Sequence, residues 1–294
     1  MFKLVFLASV IAFSYNSIAC TEDGREGIAP KNNLWIDSEV KSLNGMDEAK
    51  FNEVIDTVED VYRPIIEAEG ARFKVNRYWS NGTVNASASR SWGRWIINMY
   101  GGLARHEKVT ADGFALVVCH EIGHHIGGAP KKTRRAGRNG TQKRWATNEG
   151  QADYWATLKC LRKVWRGDDH SSILSNIVVP EIVKTNCESQ FSNLEDRLIC
   201  QRAALAGHSI STLFQDLRNQ TTIPDFSTPS EDEVSQTMHG HPGTQCRLDT
   251  YFQGALCGQS EEIDVDQEDP RVGNCNRVDG DPLGVRPLCW YKPL

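Results

Sequence analysis

Two histidines and a glutamate, in the run His120-Glu121-Ile122-Gly123-His124, constrain this chain more than any other part of its sequence. Histidines four residues apart lie one turn apart on the same face of an α-helix, so both imidazoles can reach one ion. Glu121 is the next residue along and can hold a water molecule beside that ion. Thr110 is a good N-cap, and Gly127-Gly128 is a typical end of a helix. The pattern therefore predicts a helix from about Gly113 to Ile126 that carries half of a metal site.

The third metal ligand decides the class of site. A metzincin would place a histidine six residues after His124, but that position is Pro130. The next predicted helix, about Asn148 to Trp165, offers Glu149 and Asp153, again four residues apart. Glu149 would complete a His-His-Glu set for one zinc ion, and Asp153 would accept a hydrogen bond from a ligand histidine. Either carboxylate alone would be read as solvent-facing, but the pair following the motif helix favours a metal site.

The first nineteen residues are typical of a secretory signal peptide. Lys3 supplies a positive start, Leu4 to Phe13 is apolar, and small residues at Ser17 and Ala19 fit a cleavage site. The apolar run is too short to cross a bilayer. Cleavage after Ala19 would leave Cys20 first, so a lipid anchor at Cys20 is an alternative to plain secretion. We expect an exported protein, periplasmic or secreted, without a membrane span.

Nine cysteines fit that compartment, and the absence of a C-x-x-C pair favours disulfides over a zinc ribbon. An odd number leaves at least one unpaired, and Cys20 and Cys119 are the candidates. Most or all cysteines from Cys160 onward should be oxidised. Cys246 and Cys257 should not pair with each other, because on one helix they would be ~16 Å apart along its axis.

The remaining patterns predict an α+β fold. A helix is expected over Asp47 to Glu69, and Pro64 should kink or divide it. Strands are expected over Arg72 to Tyr78 and Trp92 to Tyr100, and a third helix over Ala203 to Leu217. The Cys-, Gly- and Pro-containing end of the chain predicts an irregular tail held by disulfides.

Two helices with His-Glu-x-Gly-His and Glu-x-x-x-Asp resemble the gluzincin zinc peptidases. The similarity is greatest to the family of HtpX-like proteases, CAAX prenyl proteases and BepA. Thr110 to Gly113 resembles that family's lead-in to the motif helix, and Ala204 to Leu217 resembles its later helix. His241-Pro242 with Arg247 resembles its His-Pro-x-x-x-x-Arg element. The match runs from about Trp95 to Arg247, roughly half of the chain.

The resemblance implies a gluzincin core, in which a small sheet with an edge strand flanks two zinc-ligand helices. It implies a metallopeptidase domain over residues 20–255, after the signal peptide at 1–19 and before an acidic extension at 256–294. It further implies a zinc endopeptidase with one Zn²⁺ per chain and Glu121 as general base. His241 or Arg247 would stabilise the oxyanion, or His241 would cap the resting zinc. A structural role for both residues is the plainer alternative.

The expected partner is a polypeptide substrate that adds to the sheet as an edge strand, beside the strand carrying Trp92, Trp95 and Tyr100. The net charge of −5 does not argue for nucleic acid. Seven basic residues from Lys131 to Arg144 form a polar connection. This connection is a solvated loop, a binding site for an acidic partner, or a surface on which the acidic tail docks. Two other functions use the same ligands: a zinc hydrolase of cell-wall peptide or amide bonds, and a protease-chaperone that mainly binds misfolded protein.

Overall fold

The computed structural model of the protein describes residues 17–18, 27–40, 42–136 and 140–293, in an α+β fold with two small sheets. The strands are β1 (Ser17–Ile18), β2 (Arg72–Tyr78), β3 (Ala86–Ser91), β4 (Arg94–Tyr100), β5 (Lys131–Ala136) and β6 (Gly140–Thr147). The helices are α1 (Glu48–Ala68), α2 (Gly101–Arg105), α3 (Ala111–Ile126), α4 (Glu149–Trp155), α5 (Leu161–Trp165), α6 (His170–Leu174), α7 (Glu181–Gln190), α8 (Leu194–Leu217) and α9 (Thr244–Leu256). A π-helical segment (Ala156–Cys160) joins α4 to α5, and a 3-10 turn (Arg277–Asp279) lies in the tail.

The motif helix α3 lies in the core. Thr110 caps it as predicted, because its hydroxyl accepts a hydrogen bond from the Gly113 N–H at 3.0 Å. Its residues are buried from Gly113 through His125, and it packs against α1, α4, α8 and β3. A helix buried to this extent can carry polar side chains only where they are paired or bind an ion.

The larger sheet has the strand order β1-β3-β4-β2. β4 pairs with β2 in parallel and with β3 in antiparallel, so the prediction that this strand forms an open edge is wrong. β3 was not predicted from the sequence, because its Ala and Ser residues are not typical of strands. Ser17–Ile18 pairs antiparallel with the outer side of β3. The strand predicted from Trp92 begins at Arg94, since Trp92 has a φ of 51° and lies in the turn before β4.

The predicted helices exist, with different ends. α1 is a single helix that continues through Pro64, because the turns on both sides of the proline bury Tyr62 and Ile66 in the core. α8 begins at Leu194, earlier than predicted. The residue that caps α4 is Asn148, and its side-chain oxygen accepts from the Gln151 N–H at 2.9 Å.

Four disulfides join eight of the nine cysteines. The pairs are Cys119–Cys160, Cys187–Cys200, Cys246–Cys289 and Cys257–Cys275. Cys119 was wrongly considered a candidate unpaired cysteine, because α3 places its Cα 5.6 Å from that of Cys160. Cys20 lies outside the described residues. Cys246 and Cys257 pair with the tail and not with each other, as predicted. Four disulfides indicate an oxidising, exported environment.

The tail after α9 packs against the ligand helix α4. The indole of Trp290 is fully buried against Gly150, where a Cβ atom would come within 2.3 Å of it. Arg286 donates a hydrogen bond to the Gln151 side chain at 3.1 Å. The predicted irregular, disulfide-held tail is thus confirmed, and it supports the helix that begins with Glu149. Within the ranges that the structure describes, no helix has the length and apolar composition needed to cross a membrane.

Peptide mapping of the native protein without reduction should recover the four pairs named above. Cys119–Cys160 and Cys187–Cys200 each join two helical elements that pack together in the fold. In all four pairs the Cα atoms are 5.6–6.0 Å apart, as a disulfide needs. A peptide linking Cys246 to Cys257, or alkylation of Cys119 before reduction, would contradict it.

Candidate metal centre

His120, His124 and Glu149 form a buried group that could bind a metal ion. One ligand atom from each residue lies within 4.8 Å of the others. Glu149 Oε2 is 3.2 Å from His120 Nε2 and 3.6 Å from His124 Nε2. These are the three ligands predicted from the sequence. Two imidazole nitrogens and one carboxylate oxygen form a donor set of the kind found in catalytic zinc sites.

Close contact between α3 and α4 brings the three ligands together. Gly123 lies between the two histidines, and a Cβ there would be 3.1 Å from Trp155 and 3.3 Å from the Ala152 Cα. A larger residue would push the helices apart. The capping of α4 by Asn148 then places Glu149 in the first turn, facing α3.

Hydrogen-bond acceptors behind the histidines set their orientation. His124 Nδ1 is 2.9 Å from the carbonyl oxygen of Thr147, and a carbonyl only accepts, so Nδ1 carries the proton. His120 Nδ1 is 2.7 Å from Asp153 Oδ1, which was predicted to accept a hydrogen bond from a ligand histidine. Both contacts leave Nε2 as the ligand atom, and such acceptors accompany most metal-binding histidines.

Arg247 lies behind Asp153 and not beside the ligands. Its Nε and Nη2 atoms donate to the two oxygens of Asp153 at 2.8 and 2.7 Å, and its Nη1 donates to the Ile28 carbonyl at 2.7 Å. Tyr251 donates to Asp153 as well, at 2.8 Å. The structure therefore gives Arg247 a positioning role through Asp153 and His120. Its side chain is therefore not arranged to contact the oxyanion, which was one of the expected alternatives.

His241 reaches the ligand cluster although it is far from Glu149 in the sequence. Its Nε2 atom is 3.2 Å from Glu149 Oε2, as close as that of His120, and its side chain is 10% exposed. The segment is held in place because Asn148 donates a hydrogen bond to the Met238 carbonyl at 2.9 Å. His239 lies nearby without a hydrogen bond to the ligands, and His125 stacks between Trp95 and Trp145, as a packing residue does.

Several buried polar atoms of the cluster have no hydrogen-bond partner. They are both carboxylate oxygens of Glu121, His120 Nε2, Glu149 Oε2 and His241 Nε2. Each such atom costs about 1–3 kcal/mol if it stays unsatisfied. A divalent ion among His120, His124 and Glu149, with water beside Glu121, would satisfy them. The residues present therefore fit a zinc ion.

Burial and neighbouring charges shift the pKa values of the cluster in opposite directions. Burial raises the pKa of Glu121 to about 8. Burial also raises the pKa of Glu149, but His241, Lys132 and His124 outweigh it and hold that pKa well below its usual range. Burial lowers the pKa of His120, yet Asp153 and Glu149 bring it to about 9, whereas burial lowers the pKa of His124 to about 3.

Lys132, which was not predicted as a site residue, contacts the ligand Glu149. Its Nζ atom is 2.5 Å from Glu149 Oε1, and the side chain is buried. The basic segment that was interpreted as a polar connection is the hairpin β5–β6, which lacks the apolar alternation of a typical strand pair. The Asn139-Gly140 dipeptide is the sequence signal that could have predicted this hairpin.

The acidic tail does contact the hairpin, through an ion pair between Lys143 and Glu268.

No protein-family model, curated protein or solved structure matches this chain. The metal centre is therefore supported by its own geometry and chemistry.

Purified protein should contain about one zinc ion per chain, and Glu149→Ala should bind zinc far more weakly. Loss of an outer partner typically costs ~10–100-fold in metal affinity, so loss of a ligand should cost at least as much. Elemental analysis and chelator competition measure both quantities. Glu188→Ala, at an exposed helix position, is the control and should leave zinc affinity unchanged. Full zinc occupancy in Glu149→Ala would remove Glu149 from the site.

Proposed function

We propose that this protein is a zinc-dependent endopeptidase of an exported compartment. The observation that carries the proposal is a buried His-His-Glu cluster beside Glu121, whose two carboxylate oxygens lack hydrogen-bond partners. Keeping a carboxylate unsatisfied in the core is costly, and general-base chemistry is one reason to keep it. The resemblance to gluzincins and the four disulfides are consistent with this function and with export.

Each residue has a distinct part in the proposed hydrolysis. His120, His124 and Glu149 would hold a zinc ion, which would supply Lewis acidity for the peptide carbonyl and the attacking water. Glu121 would accept the proton of the attacking water and deliver it to the leaving amine. His241 donates a hydrogen bond to the developing oxyanion. Asp153 and Arg247 keep the His120 ring in its ligand orientation.

A polypeptide substrate is proposed to bind along β3 and not along β4. The antiparallel pairing of Ser17–Ile18 with Arg90 and Ser89 on the outer side of β3 supports this placement. Removal of the signal peptide predicted over residues 1–19 would leave that side open. An added strand is held by main-chain hydrogen bonds, which suits a peptide of variable sequence.

The described conformation covers the site, because His120, Glu121, His124 and Glu149 are fully buried. Lys132 on the hairpin and His241 in the segment before α9 both contact Glu149. Because Glu121 is fully buried, a peptide carbonyl can approach it only if part of the surrounding structure shifts. Substrate binding is therefore proposed to include such a movement.

Glu121→Gln should keep zinc and fold but lose hydrolysis by a factor of ~10²–10⁴, because the amide cannot accept a proton. The measurement is mass-spectrometric profiling of products from a mixed peptide library. Glu188→Gln serves as the control and should cut like the parent. A Glu121→Gln protein that turns over peptides at close to the parent rate would show the mechanism to be wrong. Binding of peptides without cleavage by the parent would favour the chaperone function.

His241→Ala should lower kcat by ~10²–10³ and change KM little, since an oxyanion donor acts mainly in the transition state. Steady-state kinetics on a cleaved peptide measure both constants. His239→Ala is the matched control two residues away and should have a much smaller effect. An unchanged kcat in His241→Ala would exclude His241 from the chemistry, and an increased kcat would identify it as a cap on the resting zinc.

A further inference from the structure

We propose that Lys132 is a positioning residue that determines which oxygen of Glu149 faces the metal. This inference rests on the proposed metal site and goes beyond it, because it assigns a role to a side chain outside the ligand motifs. Lys132 would hold Oε1 and leave Oε2 as the single ligand oxygen.

The contacts of Glu149 divide between its two oxygens. Oε1 lies 2.5 Å from the Lys132 ammonium, from which it accepts a hydrogen bond. Oε2 has no hydrogen-bond partner and is close to three imidazole nitrogens, those of His120, His124 and His241. A carboxylate can bind a metal through one or both oxygens. Here one of them is already committed to a cation supplied by the protein.

Lys132 does not occupy the place where the ligand atoms converge. An ammonium that substituted for the metal would lie at Oε2, where the imidazoles meet, and it lies at Oε1 instead. Lys132 and a metal ion can therefore contact Glu149 at the same time. The buried carboxylate keeps its charge in the core partly because this ammonium is beside it.

The local backbone explains how a basic hairpin residue reaches the core. The register of β5 and β6 shifts opposite Lys132, where one residue of β5 faces three residues of β6 (144–146), and such irregularities bend a strand pair locally. Lys131 pairs with Thr147, and the Asn148 N–H donates to the Pro130 carbonyl at 3.0 Å. The hairpin thus closes next to Glu149. Lys131 is equally buried but contacts Thr147 and Gln267, not the ligands.

Zinc affinity of Lys132→Met and Lys131→Met tests the proposal with a matched pair. Lys132→Met removes the ammonium while keeping most of the side-chain volume, and it should lower affinity by ~10–100-fold, as loss of an outer partner does. Lys131→Met alters the adjacent buried lysine and should leave affinity unchanged. Chelator competition measures affinity, and circular dichroism of the metal-free proteins reports folding. Lys132→Gln, which keeps a donor, should fall between parent and Lys132→Met, and it replaces the latter if that variant does not fold.

The visible spectrum of the Co²⁺-substituted proteins adds a readout of coordination. Without Lys132, Oε1 can also approach the ion, so the coordination number should rise and the absorption weaken in Lys132→Met but not in Lys131→Met. Zinc affinity in Lys132→Met that equals or exceeds that of the parent, or the same loss of affinity in Lys131→Met, would overturn the proposal.

These measurements use no peptide substrate. Absence of zinc binding by the parent would instead overturn the proposed metal site, and absence of cleavage by a zinc-loaded parent would overturn the proposed function.

Discussion

The charge buried around α3 is the constraint on which the rest of the structure depends. Glu121, Glu149 and Asp153 are carboxyl groups without solvent contact, and buried charges need partners. Arg247 neutralises Asp153, and Lys132 neutralises Glu149. Loss of one member of such a pair typically costs ~3–5 kcal/mol. The atoms that would contact a metal ion and its water are left without hydrogen-bond partners. In this way the fold keeps a reactive site within its core.

Much of the C-terminal half of the chain supports that cluster from outside. Arg247 follows Cys246 on α9, and the Cys246–Cys289 disulfide ties this helix to the tail beside Trp290. Trp290 in turn packs on Gly150, the residue after Glu149. The ligand helix is therefore held both by an arginine of α9 and by the tail. The tail is part of the support of the site, although its sequence suggested only an irregular extension.

The parts of the fold and site that could be predicted from the sequence depend on local periodicity. The four-residue spacing alone predicted that His120 and His124 lie on one face of a helix. The same spacing predicted that Glu149 and Asp153 lie on one face of the next helix. The strand β3 and the hairpin β5–β6 could not be predicted in this way, since Ala, Ser, Lys and Arg residues form strands there through pairing with neighbours. Lys132 was missed for the same reason. Its contact with Glu149 depends on how the hairpin closes beside α4, which is a tertiary feature without a sequence period.

The most direct test of the central claim is a crystal structure of the zinc-loaded protein with anomalous diffraction measured at the zinc edge. The structure predicts one strong peak at ~2.0–2.2 Å from His120 Nε2, His124 Nε2 and Glu149 Oε2. It also predicts that the Lys132 ammonium remains on Glu149 Oε1. A peak bound elsewhere, or an empty cluster in protein that carries zinc, would contradict the account.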